Sequence, residues 1–227
     1  MEKNQNNKNM KVELINYFGD VQMVAEVARV SYDKSAINYT QEQNNKLIKY
    51  LWKHNHTSPF RHLSLQFRIT CPIYVERQLA KHQVGISINS ISGRYVDFSD
   101  TYTLIDEWRE QSKDSKQGSA GSLDYEGQEA CNIIEHNVYQ TCKKAYADLI
   151  KLGVSKEQAR TILPLNLNTT FIWTGSFLAF IHMCILRLKP DAQYETRKVV
   201  DAMLTAVREI PGNPYEQLLE IIDSELI

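Results

Sequence analysis

Residues 81–95, with the sequence KHQVGISINSISGRY, contain the densest group of side chains that could hold a ligand. These fifteen positions combine a lysine, a histidine and an arginine with three serines and two glycines. Their apolar residues follow neither the helical period nor a clear alternation, so the run is predicted to be a loop. Serine hydroxyls, backbone amides beside glycine and an arginine are groups that bind phosphate. The segment is therefore predicted to bind a phosphorylated ligand.

A second polar run, HNHTSPFRH, places His54, His56 and His62 around Pro59. No acidic or cysteine ligand joins these histidines at a spacing typical of a metal site, so we predict no metal there. The simplest interpretation is a turn with partly exposed histidines. Alternatively, His56 and Ser58 offer hydrogen bonds to a ligand bound beside the loop.

Two arginines lie in mostly apolar stretches, Arg160 in ARTILPL and Arg187 at the end of IHMCILR. Arginine is rarely buried without an anionic partner. Taken alone, each is predicted to pair with one of the 27 carboxylates of the chain. Together with Arg94, they could instead surround an anionic ligand, because a guanidinium matches phosphate and imide oxygens through paired donors.

The composition excludes several classes of function. A net charge of -1 over 227 residues argues against a sequence-independent nucleic-acid binder. No uncharged apolar run is long enough to span a membrane, and residues 1–10 are predicted to be a disordered polar tail rather than a signal peptide.

The sequence has no P-loop, GxSxG or GxGxxG motif, so any reaction would depend on a bound cofactor. The cysteines show no CxxC pair and are predicted to be reduced thiols of a cytoplasmic protein: Cys71, Cys131, Cys142 and Cys184.

The elements that must position these residues follow from caps, breakers and periodicity. Thr40 and Gln43 form a capping-box pair at the start of a helix. Pro72 suits the first turn of a helix that runs through IYVERQLAKHQ, which places His82 near the end of that helix. A surface helix end is one interpretation of His82, since the helix dipole favours a cation there.

Strands are predicted over residues 11–18, 63–70, 94–98 and 165–174, and helices over 21–30, 40–54, 72–83, 125–152, 155–163, 176–188 and 191–210, with a short helix at the end. Residues 113–122 are predicted to be a mobile surface loop. Because helices outnumber strands and the strands lie far apart in sequence, the predicted fold class is α+β. We expect a single domain over residues 11–227, with a small, mainly antiparallel sheet flanked by long helices.

In this order, the motifs resemble those of the flavin-dependent thymidylate synthases. That family's signature reads RHR, a short spacer and SxNxxSxRY. The corresponding residues here are Lys81, His82, Gln83, Ser87, Asn89, Ser92, Arg94 and Tyr95. Further matching pieces are ARVSY, HNHTSPFRH, PIYVERQ, ARTILPLNLNTTFIWT and DAQYETR, so the likeness covers most of the chain.

The resemblance implies the thymidylate synthase complementing protein fold and methylation of dUMP to dTMP. Methylenetetrahydrofolate would be the carbon donor, and NADPH the reductant through FAD. It also implies a homotetramer with active sites at subunit interfaces, located in the cytoplasm of the cell, or of the host if the chain is viral. The family needs no cysteine nucleophile and activates the base electrostatically instead.

The resemblance also assigns residues. Arg187 matches the catalytic arginine that contacts the uracil and favours its ionised form. The positions that match nucleotide contacts are Gln78, Lys81, Ser90, Ile91, Ser92, Gly93, Arg94, Arg160 and Arg187. The positions that match flavin contacts are His56, Ser58, Lys81, His82, Gln83, Asn89, Ser90, Ser176 and His182.

The chain departs from the family pattern mainly on the flavin side. RHR is replaced by KHQ, one extra residue precedes Ser87, Ser90 stands where many members have glutamate, and Leu178 replaces a residue that is polar in some members. Lysine and arginine are not interchangeable where bidentate or stacked contacts are needed. The alternative function is therefore a non-catalytic nucleotide-binding protein on the same scaffold.

Overall fold

Four antiparallel strands form the main sheet of the computed structural model, which describes residues 10–97, 99–113 and 118–227. They are β1 (Lys11–Phe18), β2 (Ser64–Pro72), β3 (Ile86–Ser90) and β6 (Asn168–Ser176). Their order across the sheet is β1-β2-β6-β3. The short strands β4 (Arg109–Gln111) and β5 (Ser119–Ser122) pair separately as a hairpin.

The core lies on one face of this sheet. In β2, Leu65, Phe67 and Ile69 alternate with more exposed residues and are fully buried. The register pairs Phe67 with Trp173 and Ile69 with Phe171 in β6, so the same face continues across both strands. This alternation is what a strand with one covered face requires.

Helices cover that face and extend beyond the sheet. Their bounds are α1 (Val21–Arg29), α2 (Gln41–Lys53), α3 (Ile73–Leu79), α4 (Tyr125–Lys151), α5 (Lys156–Ala159), α6 (Phe177–Arg187), α7 (Tyr194–Arg208) and α8 (Glu216–Glu225). Four short 3-10 turns lie at Val30–Tyr32, Ala36–Asn38, Ser58–Arg61 and Arg160–Ile162. Helix α6 packs on the sheet, where Phe180 stacks on Phe67 at 5.9 Å between ring centroids.

The predicted fold class, α+β, is confirmed, and most predicted elements lie within two or three residues of their observed bounds. The Thr40 capping box forms as expected, with the Thr40 hydroxyl accepting from the Gln43 backbone and the Gln43 side chain accepting from the Thr40 backbone. Both contacts satisfy amide groups that a helix start would otherwise leave unpaired.

Three predictions of local structure are wrong. The serine-rich run contains an edge strand, β3, because Ile86 and Ile88 pack against the core while Ser87 and Asn89 face away. Residues 93–95 form a turn and residue 96 a bend, so the predicted strand is not formed over the described residues 94–97. Helix α3 ends at Leu79, and Pro72 is its N-cap residue, so residues 81–83 lie beyond the helix.

The predicted loop at 113–122 is part of the β4–β5 hairpin where the structure describes it. Its residues 114–117 lie outside the described residues, as do Phe98 and positions 1–9 of the predicted polar tail.

Candidate active site

Arg187, the last residue of α6, meets the segment that follows α3. Its Nε donates to Nε2 of His82 at 3.0 Å, and its Nη2 donates to the backbone carbonyl oxygen of Gln78 at 3.3 Å. Among the described residues no carboxylate pairs with Arg187. The predicted intramolecular ion pair is therefore not formed in that part of the chain. These two contacts fix the plane of the guanidinium and leave its Nη1 hydrogens for another acceptor.

His82 is held in its neutral form. Burial lowers the pKa of His82, and the positive charges of Arg187 and His182 lower it further. Because Nε2 accepts the hydrogen bond from Arg187, the ring proton must be on Nδ1. The imidazole thus acts here as an acceptor that orients the arginine, and not as a cation at a helix end.

Gln78 belongs to the same group of residues. Its side-chain oxygen accepts from Thr196 Oγ1 at 3.1 Å, and its amide nitrogen donates to Gln193. Thr196 is fully buried, so this side of Gln78 is enclosed by α7. Sequence reasoning included Gln193 and Thr196 only within a matching stretch and did not identify their contact with Gln78.

Arg94 and Arg160 form a second group, around Glu157. Arg94 Nε lies 3.5 Å from a Glu157 carboxylate oxygen, and Arg160 Nε donates to the Glu157 carbonyl at 3.4 Å. Both arginines are exposed, and an exposed ion pair such as that of Arg94 with Glu157 contributes little to stability. Arg160 contacts the Glu157 backbone and has no carboxylate partner among the described residues, so the ion pair predicted for it is not observed there. A phosphate could therefore replace the Glu157 carboxylate as the partner of Arg94 at small cost. Ser92 lies beside them, its Oγ accepting from the Arg94 backbone amide at 3.3 Å.

The end of β3 connects to this second group. Ile91 donates its backbone amide to Thr170 in β6 at 2.8 Å, which continues the sheet by one residue, and Gly93 is buried. Ser90 Oγ donates to a carboxylate oxygen of Glu76 at 3.3 Å. Glu76, on α3, thus brings a carboxylate next to Ser90, whose own side chain is uncharged.

A cavity of about 450 Å³ opens between β3 and the start of α6, lined by Arg61, Gly85, Ser87, Ser176 and His182 among others. Ser176 caps α6, its Oγ accepting from the Ala179 amide at 3.2 Å. Gly85 has a positive φ of 74°, and its carbonyl accepts from the Ser176 amide at 2.9 Å. A helix start and an arginine on one cavity favour an anionic group.

The predicted flavin residues His56 and Ser58 lie at a different cavity of about 640 Å³, together with Arg29, Ser31 and Tyr32. Rings on α2 lie beside both regions. Tyr50 contacts His56, with centroids 6.2 Å apart, and Trp52 contacts His182, with centroids 6.1 Å apart.

The structure thus places the predicted site residues in separate groups on one chain. Among the described residues, Arg187 contacts His82 and Gln78, whereas Arg94 and Arg160 contact Glu157. The arrangement of three arginines around one anion stays a prediction. Lys81, Gln83 and Asn89 are exposed beside these groups.

The buried cysteines are poor candidates for nucleophiles. Burial raises the pKa of Cys71 to about 12, with a further increase from Glu76. Burial also raises the pKa of Cys184. A thiol that stays protonated near neutral pH is a weak nucleophile.

The described residues offer neither a cluster of metal ligands nor a membrane-spanning helix. Across residues 10–97, 99–113 and 118–227, no group of three or more His, Cys, Asp or Glu side chains could hold a metal ion. None of the helices in these ranges is long and apolar enough to cross a membrane.

Comparison with known proteins identifies the family. The family model described as thymidylate synthase complementing protein matches residues 13–211. The chain belongs to this family. Its similar relatives are named flavin-dependent thymidylate synthase, so the predicted family is confirmed. One, from Thermus thermophilus, is 38% identical over 198 residues, covering 87% of this chain and 71% of the relative. Another, from Kosmotoga olearia, is 35% identical over 209 residues, covering 92% and 89%.

A solved structure shows the same family fold. The UMP/dUMP methylase PolB from Streptomyces cacaoi, with bound 5-Br dUMP, matches with a TM-score of 0.82 and 26% identity over 95% of each chain. The same methylase with bound 5-Br UMP matches with a TM-score of 0.83. The predicted thymidylate synthase complementing protein fold is thereby confirmed.

Proposed function

We propose that this chain methylates dUMP to dTMP, with methylenetetrahydrofolate as carbon donor and NADPH as reductant through FAD. Its family supports the reaction class, since the relatives are named flavin-dependent thymidylate synthase. The observation that carries the proposal is Arg187, whose guanidinium is held by His82 and Gln78 while Nη1 remains for a ligand. A fixed donor at the edge of a pyrimidine favours its ionised form without a covalent nucleophile.

We assign the nucleotide to both arginine groups. Arg187 and Gln78 would contact the base side, while Arg94 and Arg160 would bind the phosphate together with Ser92. A guanidinium pair suits a phosphate because each presents parallel N–H donors. Lys81, Ser90, Ile91 and Gly93 remain proposed contacts on either side of these arginines.

The residues around the cavity between β3 and α6 fit a flavin dinucleotide. Gly85 supplies the space, because a Cβ at this position would lie 2.9 Å from Ser176 Oγ. Arg61 and the start of α6 would favour the diphosphate, and Ser176 and His182 would contact the cofactor. His56, Ser58, His82, Gln83 and Asn89 complete the proposed flavin contacts. Bound there, the flavin would supply the hydride of the reaction.

We also propose a homotetramer with active sites between subunits. The two arginine groups have separate partners within one chain, and we assign them to nucleotide sites shared between two copies. Helix α4 supports an interface, because Ile133, Ile134 and Val138 are 50–62% exposed on it. The four cysteines are free thiols, which supports a reducing compartment such as the cytoplasm.

The proposal can be tested on the purified protein. We expect a yellow protein that converts dUMP to dTMP when given NADPH and methylenetetrahydrofolate, and a mass in solution near four times 26.3 kDa. Colourless protein that binds no FAD on reconstitution would refute the flavin assignment. If that protein still binds dUMP in calorimetry, the result would favour the non-catalytic nucleotide-binding alternative, for which the KHQ sequence is the motivating observation.

A further inference from the structure

A chain of hydrogen bonds leads from the β4–β5 hairpin to Gln78. Arg109 Nη2 donates to Oε1 of Glu195 at 2.7 Å, and Gln193 Nε2 donates to Oε2 of the same carboxylate at 2.9 Å. Gln193 then accepts from the amide nitrogen of Gln78. Thr196 closes the chain by donating to the side-chain oxygen of Gln78. We call these five residues the amide chain.

The ion pair between Arg109 and Glu195 fixes the direction in which hydrogen bonds are donated along the amide chain. Glu195 is only 7% exposed and is paired with Arg109. Burial raises the pKa of Glu195, but hydrogen bonds from Arg109 and Gln193 outweigh that effect and hold it below its usual range. An ionised carboxylate only accepts hydrogen bonds, and a guanidinium only donates them.

The direction passes along the amides because each has one donor end and one acceptor end. Gln193 must turn its NH2 group to Glu195, so its carbonyl oxygen faces Gln78. Gln78 must then turn its own NH2 group to Gln193 and its oxygen to Thr196. The Thr196 hydroxyl can donate or accept and therefore does not decide the orientation. Only Glu195 does.

This orientation matters because Gln78 lies beside Arg187, whose Nη2 donates to the backbone carbonyl oxygen of Gln78. After its contacts within the amide chain, the Gln78 side chain still has one N–H and one lone pair at defined positions. A rotated amide would exchange the two and present the wrong pattern to a bound nucleotide.

We propose that Glu195 and Gln193 are positioning residues that set which end of the Gln78 amide donates and which accepts toward the nucleotide. The proposal rests on the proposed function for the nucleotide contact, but the orientation itself does not. The hairpin carries the anchor of this arrangement, since Arg109 also donates to Ser119 on β5 at 2.9 Å and lies over the Tyr194 ring at 4.7 Å.

Thermal unfolding of four proteins tests the orientation: the wild type, Gln78→Glu, Glu195→Gln and the double variant. Gln78→Glu places a carboxylate against the Gln193 oxygen and should lower Tm. Glu195→Gln should lower Tm because it removes the ion pair with Arg109. In the double variant a glutamine at 195 can donate, so Gln193 can rotate and donate to the new carboxylate. We expect its loss of Tm to be smaller than the sum of the single losses, by roughly 2–4 °C.

A matched pair serves as control. Gln78→Ala has no polar end, so its effect on Tm should add to that of Glu195→Gln. If the Gln78→Glu and Glu195→Gln effects also add, the directional chain is refuted, whatever the protein binds. If Glu195→Gln does not fold, Gln193→Met provides the test, because it keeps the ion pair and a similar volume but disconnects Gln78. Gln78→Glu should then lower Tm less in the Gln193→Met background than in the wild type, and an equal loss would refute the chain.

Calorimetry with dUMP tests the positioning role separately. Loss of one correctly oriented neutral hydrogen bond should weaken dUMP binding about fivefold in Glu195→Gln and in Gln193→Met. FAD binding should be unchanged in both. Unchanged dUMP affinity in a folded variant would refute the positioning role. A wild-type protein that binds no dUMP would instead refute the proposed function, while the Tm result would still decide the orientation.

Discussion

The contact between His82 and Arg187 gives the sharpest prediction for the catalytic arginine proposed here. Replacing His82 by alanine removes the acceptor of Arg187 Nε and leaves the Gln78 carbonyl as the remaining observed acceptor of the guanidinium. Hydrogen bonds that involve a charged group contribute about 1.5–3 kcal/mol, and a half-buried site such as this one lies at the lower end. About 1.5 kcal/mol corresponds to roughly a tenfold change in an equilibrium constant. We therefore expect dUMP binding to weaken about tenfold in His82→Ala.

The same contact predicts a pH dependence with a definite sign. Burial, Arg187 and His182 hold the pKa of His82 below its ordinary value of 6.5. Below that pH the unfolded chain takes up a proton more readily than the folded one, so the free energy of unfolding falls as pH falls. The loss should begin near pH 6.5 and level off once the pH is below the pKa of the folded protein. Above this window His82 should contribute no pH dependence.

His82→Gln is the matched variant, because a glutamine oxygen can accept from Arg187 but does not titrate. We expect it to retain more dUMP affinity than His82→Ala and to reduce the slope of stability against pH below 6.5. Urea unfolding at several pH values and calorimetry with dUMP, both at a fixed flavin concentration, measure the two effects. If the alanine and glutamine variants bind dUMP equally, or if the pH slope is the same with and without His82, the positioning argument is wrong.

Three further changes test other parts of the site. Arg187→Ala should abolish conversion of dUMP while Tm stays within a few degrees of the wild type. Arg187→Lys should also be inactive, because a lysine cannot supply the paired donors. Near-full activity in either variant would remove Arg187 from the mechanism. Gly85→Ala should lower Tm by more than Gly153→Ala, because both glycines have positive φ but only a Cβ at position 85 would lie 2.9 Å from Ser176 Oγ. This contact should increase the loss of stability by about 1 kcal/mol, or roughly 2–4 °C in Tm, and equal losses in the two variants would contradict the steric argument. Ser90→Glu should weaken dUMP binding by placing a second carboxylate beside Glu76. Adding Glu76→Ala to the same chain should restore part of the lost affinity. No recovery would show that the Glu76 carboxylate does not affect binding at this position.

Local signals predicted most of the elements that carry the site. Thr40 marks the start of α2 because its hydroxyl and the Gln43 side chain pair with each other's backbone amides, a contact within four residues. Gly153, with φ of 86°, marks the end of α4 in the same local way. In β3, the apolar positions Ile86 and Ile88 do alternate with polar ones, but the serines and the neighbouring glycines obscured a signal only five residues long.

The contacts within the site could not be predicted in the same way. Gln78 meets Gln193 and Thr196, and Arg109 meets Glu195, across 86 to 118 residues of sequence. Such contacts depend on how α3, α7 and the hairpin pack together. A resemblance that aligns single positions identifies Gln78 as a contact but cannot show which way its amide points.

The extra residue predicted before Ser87 should affect the two sides of the site unequally. In a strand, a shift of one residue would turn every side chain to the opposite face. Ile86 and Ile88 nevertheless pack against the core, and Ser87 lines the cavity. We expect the predicted extra residue to be accommodated before β3, where α3 has ended at Leu79 and Gly85 takes its positive φ. Positions 81–83 lie in that segment, whereas Ser92 and Arg94 follow β3, whose pairing with β6 runs from Ile86 to Ser90. Flavin affinity should thus differ from that of the relatives more than nucleotide affinity does.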